Sequence, residues 1–167
     1  KAEVERINKL VPEFLKFARP PVLSKSPICV NDLLDSTIQL LELQAAKADV
    51  KMIREFAPDL PEVDIDAEQI KQVLLNLGIN AIEAMPTGGT ITFRSRSEGQ
   101  TIAIDVEDTG SGIPPEILDR MFDPFLTTKE KGSGLGLSVA QRIVAQHEGT
   151  LIAERRPSGT RFTITLG

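Results

Sequence analysis

Apolar side chains recur at Val4, Ile7, Val11, Phe14 and Ala18, a 3-4-3-4 spacing widened by Leu10, Leu15 and Phe17. The pattern predicts an amphipathic helix over 3–18, with a heptad-like stripe suited to packing against another helix. Pro12 falls inside it, and its missing backbone donor predicts a bend near Asn8–Lys9. Arg19-Pro20-Pro21 stops the helix, because a residue before proline avoids helical angles. Residues 19–27, which include Ser24, Ser26 and Pro27, read as a linker. A second helix is predicted from Asn31, as its cap, to about Ala48, burying Leu33, Leu34, Ile38, Leu41 and Ala45. A short strand over 50–56 follows. Asp66 and Gln69 are spaced as in a capping box and open a third helix to about Met85.

Beyond that helix the period changes to two. Ile91 and Phe93 face one way in 90–96, as do Ile102, Ile104 and Val106 in 101–107, with Glu98-Gly99-Gln100 between them. This is a β-hairpin pattern. A glycine-rich stretch over 108–134 is broken only by a short helix near Pro115–Met121. A helix over 135–147 is followed by strands at 150–156 and 160–166, joined by Pro157-Ser158-Gly159. The strands run as hairpins and not as an alternating strand-helix series. The predicted class is therefore α+β, a two-layer sandwich with a mixed, largely antiparallel sheet covered by helices on one face.

Composition narrows the function more than the fold. The 167 residues suffice for one domain with a short appendage, and 41% hydrophobic with 26% charged residues is ordinary for a globular chain. Without Trp or Tyr, the core must rest on Leu, Ile, Val and seven Phe. A net charge of −5 argues against nucleic acid or an anionic membrane as partner. The single cysteine, Cys29, excludes an intrachain disulfide and fits a reducing, cytoplasmic setting. No apolar run approaches the ~20 residues of a membrane helix. The chain begins at Lys1 without a Met and its first residues already read as the inside of a helix, so it is expected to be a fragment, in which any sensor or membrane segment upstream would not be seen.

Three stretches carry candidate chemistry. On the third helix Gln69, Gln72, Asn76, Asn80 and Glu83 fall within ~80° of one another. A solvated stripe usually carries Lys and Glu, whereas carboxamides can ligate Mg²⁺ and donate to phosphate. In Asp108-Thr-Gly-Ser-Gly-Ile-Pro114 the alternation turns Asp108 inward. A buried carboxylate needs a donor, which an exocyclic amine such as adenine N6 supplies; a turn-capping Asp is the plainer reading. In Lys131-Gly-Ser-Gly-Leu-Gly-Leu137, glycines expose backbone N–H groups at a helix N-terminus, where phosphate oxygens bind; a glycine hinge is the plainer reading. Neither the Walker nor the dinucleotide-binding pattern fits. Between them, Phe122 and Phe125 could anchor the base of a lid, with Thr127, Thr128 and Lys129 set for a phosphate chain.

Each stretch is unspecific alone, but their order is not. Asn76/Asn80, Asp108-x-Gly110-x-Gly112, Phe122/Phe125 and Gly132-x-Gly134-x-Gly136 resemble the N box, first glycine box, F box and second glycine box of the histidine-kinase catalytic domain. That domain, with its Bergerat-type ATP-binding fold, belongs to the group shared with DNA gyrase, Hsp90 and MutL. Gly159-Thr160 matches the small third glycine element. The resemblance covers about 28–167. Residues 3–21, with Arg6-Ile7-Asn8-Lys9-Leu10 and Phe17-Ala18-Arg19-Pro20, resemble the second helix of the dimerisation and phosphoacceptor hairpin, especially in nitrogen-regulation-type kinases. The division expected is 1–21 for that helix and 22–167 for the catalytic domain.

The resemblance implies ATP and Mg²⁺ as ligands, with Asn80 on the metal and Asn76 lining the phosphate region. It implies Asp108 on the adenine amine, Gly110, Gly112 and Ile113 near the base, and Thr160 behind it. Gly132, Gly134, Leu135, Gly136 and Leu137 would meet the phosphates, with Phe122 at the base of a 123–133 lid that brings Thr128 and Lys129 over them. Gyrase and MutL relatives carry a water-activating Glu where this chain has Asn76, and an amide cannot act as a general base. That favours phosphoryl transfer to a protein over hydrolysis. The phosphoacceptor belongs to a hairpin helix outside this sequence; His147, at a helix C-terminus, is expected to satisfy terminal carbonyls. Implied partners are the molecule's own hairpin in a homodimer and a response-regulator receiver domain. A serine kinase of the anti-sigma-factor type fits less well, because of the heptad helix. A nucleotide-sensing or scaffolding module without kinase activity is the alternative from another class.

Overall fold

The computed structural model describes residues 1–18, 22–123 and 136–167. Its elements in chain order are α1 (Ala2–Ala18), β1 (Ser26–Ile28), α2 (Val30–Lys47), β2 (Val50–Phe56), β3 (Val63–Ile65), α3 (Ala67–Glu83), β4 (Gly89–Glu98), β5 (Thr101–Asp108), a 3₁₀ turn (Pro115–Arg120), α4 (Gly136–Gln146), β6 (Thr150–Arg155) and β7 (Thr160–Leu166). Five strands form a sheet in the order β2-β4-β5-β7-β6. Only the β2–β4 pair is parallel, so the sheet is mixed and largely antiparallel, as the sequence pattern predicts.

The inward face follows the period-two alternation. Ile91 and Phe93 of β4, Ile102, Ile104 and Val106 of β5, and Ile164 and Leu166 of β7 are all at most 1% exposed. Against them pack Leu34, Ile38 and Leu41 of α2, Ile70, Val73, Leu74 and Leu77 of α3, and Ala140 and Val144 of α4. Each fully buried Leu or Ile contributes roughly 1.5–3 kcal/mol. Gly78 lets α2 and α3 approach closely, because any side chain there would meet Leu41.

The outer face is covered differently, by charge. Glu55 pairs with Arg94 at 2.6 Å, Arg94 with Glu107 at 3.3 Å, and Glu107 with Arg156 at 3.3 Å. Arg96 covers Asp105, which also accepts from Thr163 Oγ1 at 2.8 Å, and Arg161 pairs with Glu154. The β4–β5 turn at Glu98-Gly99-Gln100 is exposed; Gly99 sits at φ +64° with nothing within 4 Å of where a Cβ would be.

Three expectations need correction. Residues 26–28 are not linker: they form β1, antiparallel to Val63–Ile65. Asn31 does not cap α2, which begins one residue earlier after Cys29. Its amide instead donates to Ala57 O at 2.8 Å and accepts from Ser95 Oγ at 2.6 Å, tying α2 to the sheet. The Asp66 cap is only half a box: its side chain accepts from Gln69 N at 3.2 Å, but its own N–H donates to His147 Nε2.

Helix α1 runs as one element through Pro12. Its predicted stripe is exposed, with Val4, Ile7, Val11, Phe14 and Leu15 each 47–59% accessible. Among the described side chains of α1 only Leu10 is half-buried, and the helix touches α4. No described helix is long and apolar enough to cross a membrane.

Candidate functional site

Strand β5 delivers Asp108 inward at its last position, paired across the hairpin with Ile91. The side chain is 5% exposed, and its Oδ1 accepts from Gly110 N at 2.8 Å. The turn-capping reading is thus fulfilled as well. Burial pushes the Asp108 carboxyl above its usual range; backbone N–H groups of Gly110 and Thr160 oppose that, and the Glu107 charge adds to it. A carboxylate in this position gains strongly from an additional donor.

Backbone crowds around it. Gly159, in the β6–β7 turn, has φ +93°, and a Cβ there would collide with the carbonyl of Asp108 itself. A Cβ on Gly110 would come within 2.7 Å of the carbonyl of Ala84, at the end of α3. One on Gly112 would lie 3.3 Å from Gly159 O. Thr90 N donates to Thr109 Oγ1 at 3.0 Å, and Ser158 Oγ to Thr109 O at 3.3 Å. Thr160, the first residue of β7, is 4% exposed, and Ile113 packs half-buried on the core. Asp108, Gly110, Gly112 and Thr160 therefore do meet. Gly159, which the resemblance groups with Thr160 as the small third glycine element, also lies in this cradle.

The second cluster lies between helices. Asn76, midway along α3, donates from Nδ2 to Gly136 O at 3.2 Å, where α4 begins. Asn80 follows one turn later on the same face. Gly136 and Leu137 are half-buried at the N-terminal end of α4, where the helix dipole favours an anion. Thr128, Lys129, Gly132, Gly134 and Leu135, with Phe125, lie outside the described residues.

Phe122 sits elsewhere. It lines a recess of about 720 Å³ with Asp123, with Ser138, Gln141, Arg142 and Ala145 of α4, and with Gly149–Leu151. None of Asn76, Asn80, Asp108 or Thr160 borders that recess.

His147 is 5% exposed, with Nδ1 2.7 Å from Ile143 O and Nε2 accepting from Asp66 N at 3.0 Å. The expected carbonyl contact is present, and both ring nitrogens are engaged.

Residues 65–167 match the family described as histidine kinase-, DNA gyrase B-, and HSP90-like ATPase. The chain is 36% identical over 165 residues to the sensor histidine kinase ZraS of Escherichia coli K12, covering 98% of this chain and 36% of ZraS. It thus spans about a third of that relative's length. The nucleotide-free catalytic domain of the histidine kinase ThkA superposes with a TM-score of 0.79 at 33% identity, covering 86% of this chain and 97% of that one. ThkA in complex with the response regulator protein TrrA gives 0.85 at 31% identity, over 99% of this chain and 48% of ThkA. Full-length ShkA in complex with AMPPNP gives 0.85 at 25% identity, over 95% and 35%.

Proposed function

This chain belongs to the histidine kinase-, DNA gyrase B-, and HSP90-like ATPases, as the ATP-binding catalytic domain of a two-component sensor histidine kinase, and on that premise we propose how its own residues serve phosphoryl transfer. The observation that carries the reading is Asp108: a buried carboxylate, raised in pKa, inside a cradle that only glycines permit. Such a group selects an amine donor of planar shape, and the adenine N6 amine fits. Gly110, Gly112, Ile113 and Thr160 form the walls around the base.

The triphosphate runs toward Asn76 and the first turn of α4, where the N–H groups of Gly136 and Leu137 receive its oxygens. Among the described residues no group of three or more His, Cys, Asp or Glu could hold a metal by itself. That suits Mg²⁺, which keeps its waters and relies on substrate phosphates plus one or two protein groups; Asn80 is the proposed protein ligand. The ion supplies charge neutralisation at the phosphates. Gly132, Gly134 and Leu135 are proposed to meet the phosphates, Thr128 and Lys129 to close over them on the 123–133 lid, and Phe122 to anchor the base of that lid.

The γ-phosphoryl acceptor is a histidine on a hairpin helix outside these 167 residues, with relay to an Asp of a response regulator. ThkA has been captured with such a partner. His147 is the single histidine of the sequence, and its burial and two hydrogen bonds suit structure and not phosphorylation. Residues 1–21 are proposed as the second hairpin helix, with its exposed stripe covered by the first helix and a second copy, and 22–167 as the catalytic domain. Since Asn76 offers no base for water, transfer to protein prevails over hydrolysis.

Calorimetry of ADP and ATP, with and without Mg²⁺, tests the reading on this chain and on Asp108→Asn. Mg²⁺-sensitive binding that weakens by at least about tenfold in the variant is expected. A parent chain that binds neither nucleotide overturns it.

A further inference from the structure

Helices α3 and α4 lie side by side, and a hydrogen bond joins them near each end of α4. Near the N-terminus of α4, Gly136 O accepts from Asn76. At its other end, His147 Nε2 accepts the N–H of Asp66, the N-cap of α3. The helices are therefore antiparallel, and the two spans agree. Asp66 to Asn76 is ten residues, about 15 Å of helix rise, and Gly136 to His147 is eleven, about 16 Å. The Asp66 N–H is one of the orphan donors of a helix start, usually satisfied by the residue three further on. Here a ring from 81 positions away takes it, buried from water. The same Asp66 carboxylate accepts Ser24 N at 3.0 Å, on the segment between α1 and β1.

We propose that His147 is a positioning residue for phosphoryl transfer: it fixes the register of α4 along α3, and so the place of the Gly136 end relative to Asn76 and Asn80. The proposal rests on the phosphate-site reading above. Two bonds at opposite ends of a helix prevent both sliding and pivoting, which one bond at Gly136 does not. The ring performs this only as the Nδ1–H tautomer, donating to Ile143 O while Nε2 stays bare for Asp66. Through Asp66 the same joint reaches Ser24, so the chain entering from α1 is bound to the helix pair that aligns the phosphate residues.

The test compares His147→Gln, His147→Asn and His147→Leu in this chain. A Gln carbonyl can take the place of Nε2 and keep the tie to Asp66. An Asn amide reaches only the position of Nδ1 and keeps the bond to Ile143. ATP affinity is read by calorimetry, and alignment by the NMR resonances of the Gly136 amide and the Asn76 side-chain NH₂. His147→Gln should stay within about twofold of the parent, while folded His147→Asn and His147→Leu lose about tenfold in affinity and move both resonances. Equal affinities and unmoved resonances in Gln and Asn overturn the proposal, and that pair decides it even if the Leu variant does not fold. If the parent itself binds no nucleotide, the functional reading fails separately, and the two resonances still decide whether His147 sets the register.

Discussion

Asp108 and Gly136 stand at the two ends of the proposed site and are held in different ways. Around Asp108 three strand and helix ends converge, and backbone meets backbone: Gly159 against Asp108, Gly110 against Ala84, Gly112 against Gly159. Around Gly136, among the described residues, a Cβ would meet only the Asn76 side chain, at 4.0 Å. One end is a fitted socket with no space to adjust, and the other is a contact between helices set by a side-chain bond. The division suits the proposed ligand: a base has one shape, while a phosphate chain must change its bonding during transfer.

The largest effect should come from Gly159→Ala. A left-handed φ and a collision with fixed backbone act together, so a loss of about 3 kcal/mol or more is expected. For a chain of this size that is roughly a 10 °C fall in melting temperature, with nucleotide binding lost. A variant that melts like the parent would mean the socket is not fitted.

Next comes the pH dependence of Asp108. Its carboxyl is raised in the folded state, so the fold binds this proton more tightly than the unfolded chain does. Its contribution to stability therefore declines as pH rises from about 4 through the folded value. Denaturation of Asp108→Asn across that window should show its stability rising relative to the parent with pH. ADP affinity of the parent should weaken as pH falls through the same window, and the variant should lack that dependence. A flat difference in both measurements would remove desolvation as the feature that distinguishes this end.

The smallest effect belongs to Gly136→Ala, whose fold stability should stay within about 0.5 kcal/mol of the parent or rise slightly, since alanine favours helix. Equal losses at Gly136 and Gly159, measured by thermal unfolding, would dissolve the contrast.

Much of this was readable in the sequence where the cause is local. The alternation of Ile102, Ile104 and Val106 foretold both the hairpin and the inward Asp108, because side-chain direction in a strand has period two. The Asp66–Gln69 cap is a four-residue motif and was equally plain. What could not be read depends on partners far along the chain. β1 has three residues and acquires its identity from Val63–Ile65. Asn31 looks like a cap until Ala57 and Ser95 are placed beside it. His147 showed its carbonyl contact, four residues away, but not Asp66. Phe122 lines a recess beside α4 with Gln141 and Ala145, neighbours that its place in a motif order does not reveal.

The turn at Glu98-Gly99-Gln100 has a practical consequence. It lies at the opposite end of β5 from Asp108, eight residues or about 26 Å of strand away from Gln100, and among the described residues open space surrounds Gly99. Exposed tips of this kind accept inserted sequence with little cost. A fluorescent or affinity module spliced between Glu98 and Gln100 would report on the domain from its blunt end, leaving the socket and the helix pair untouched.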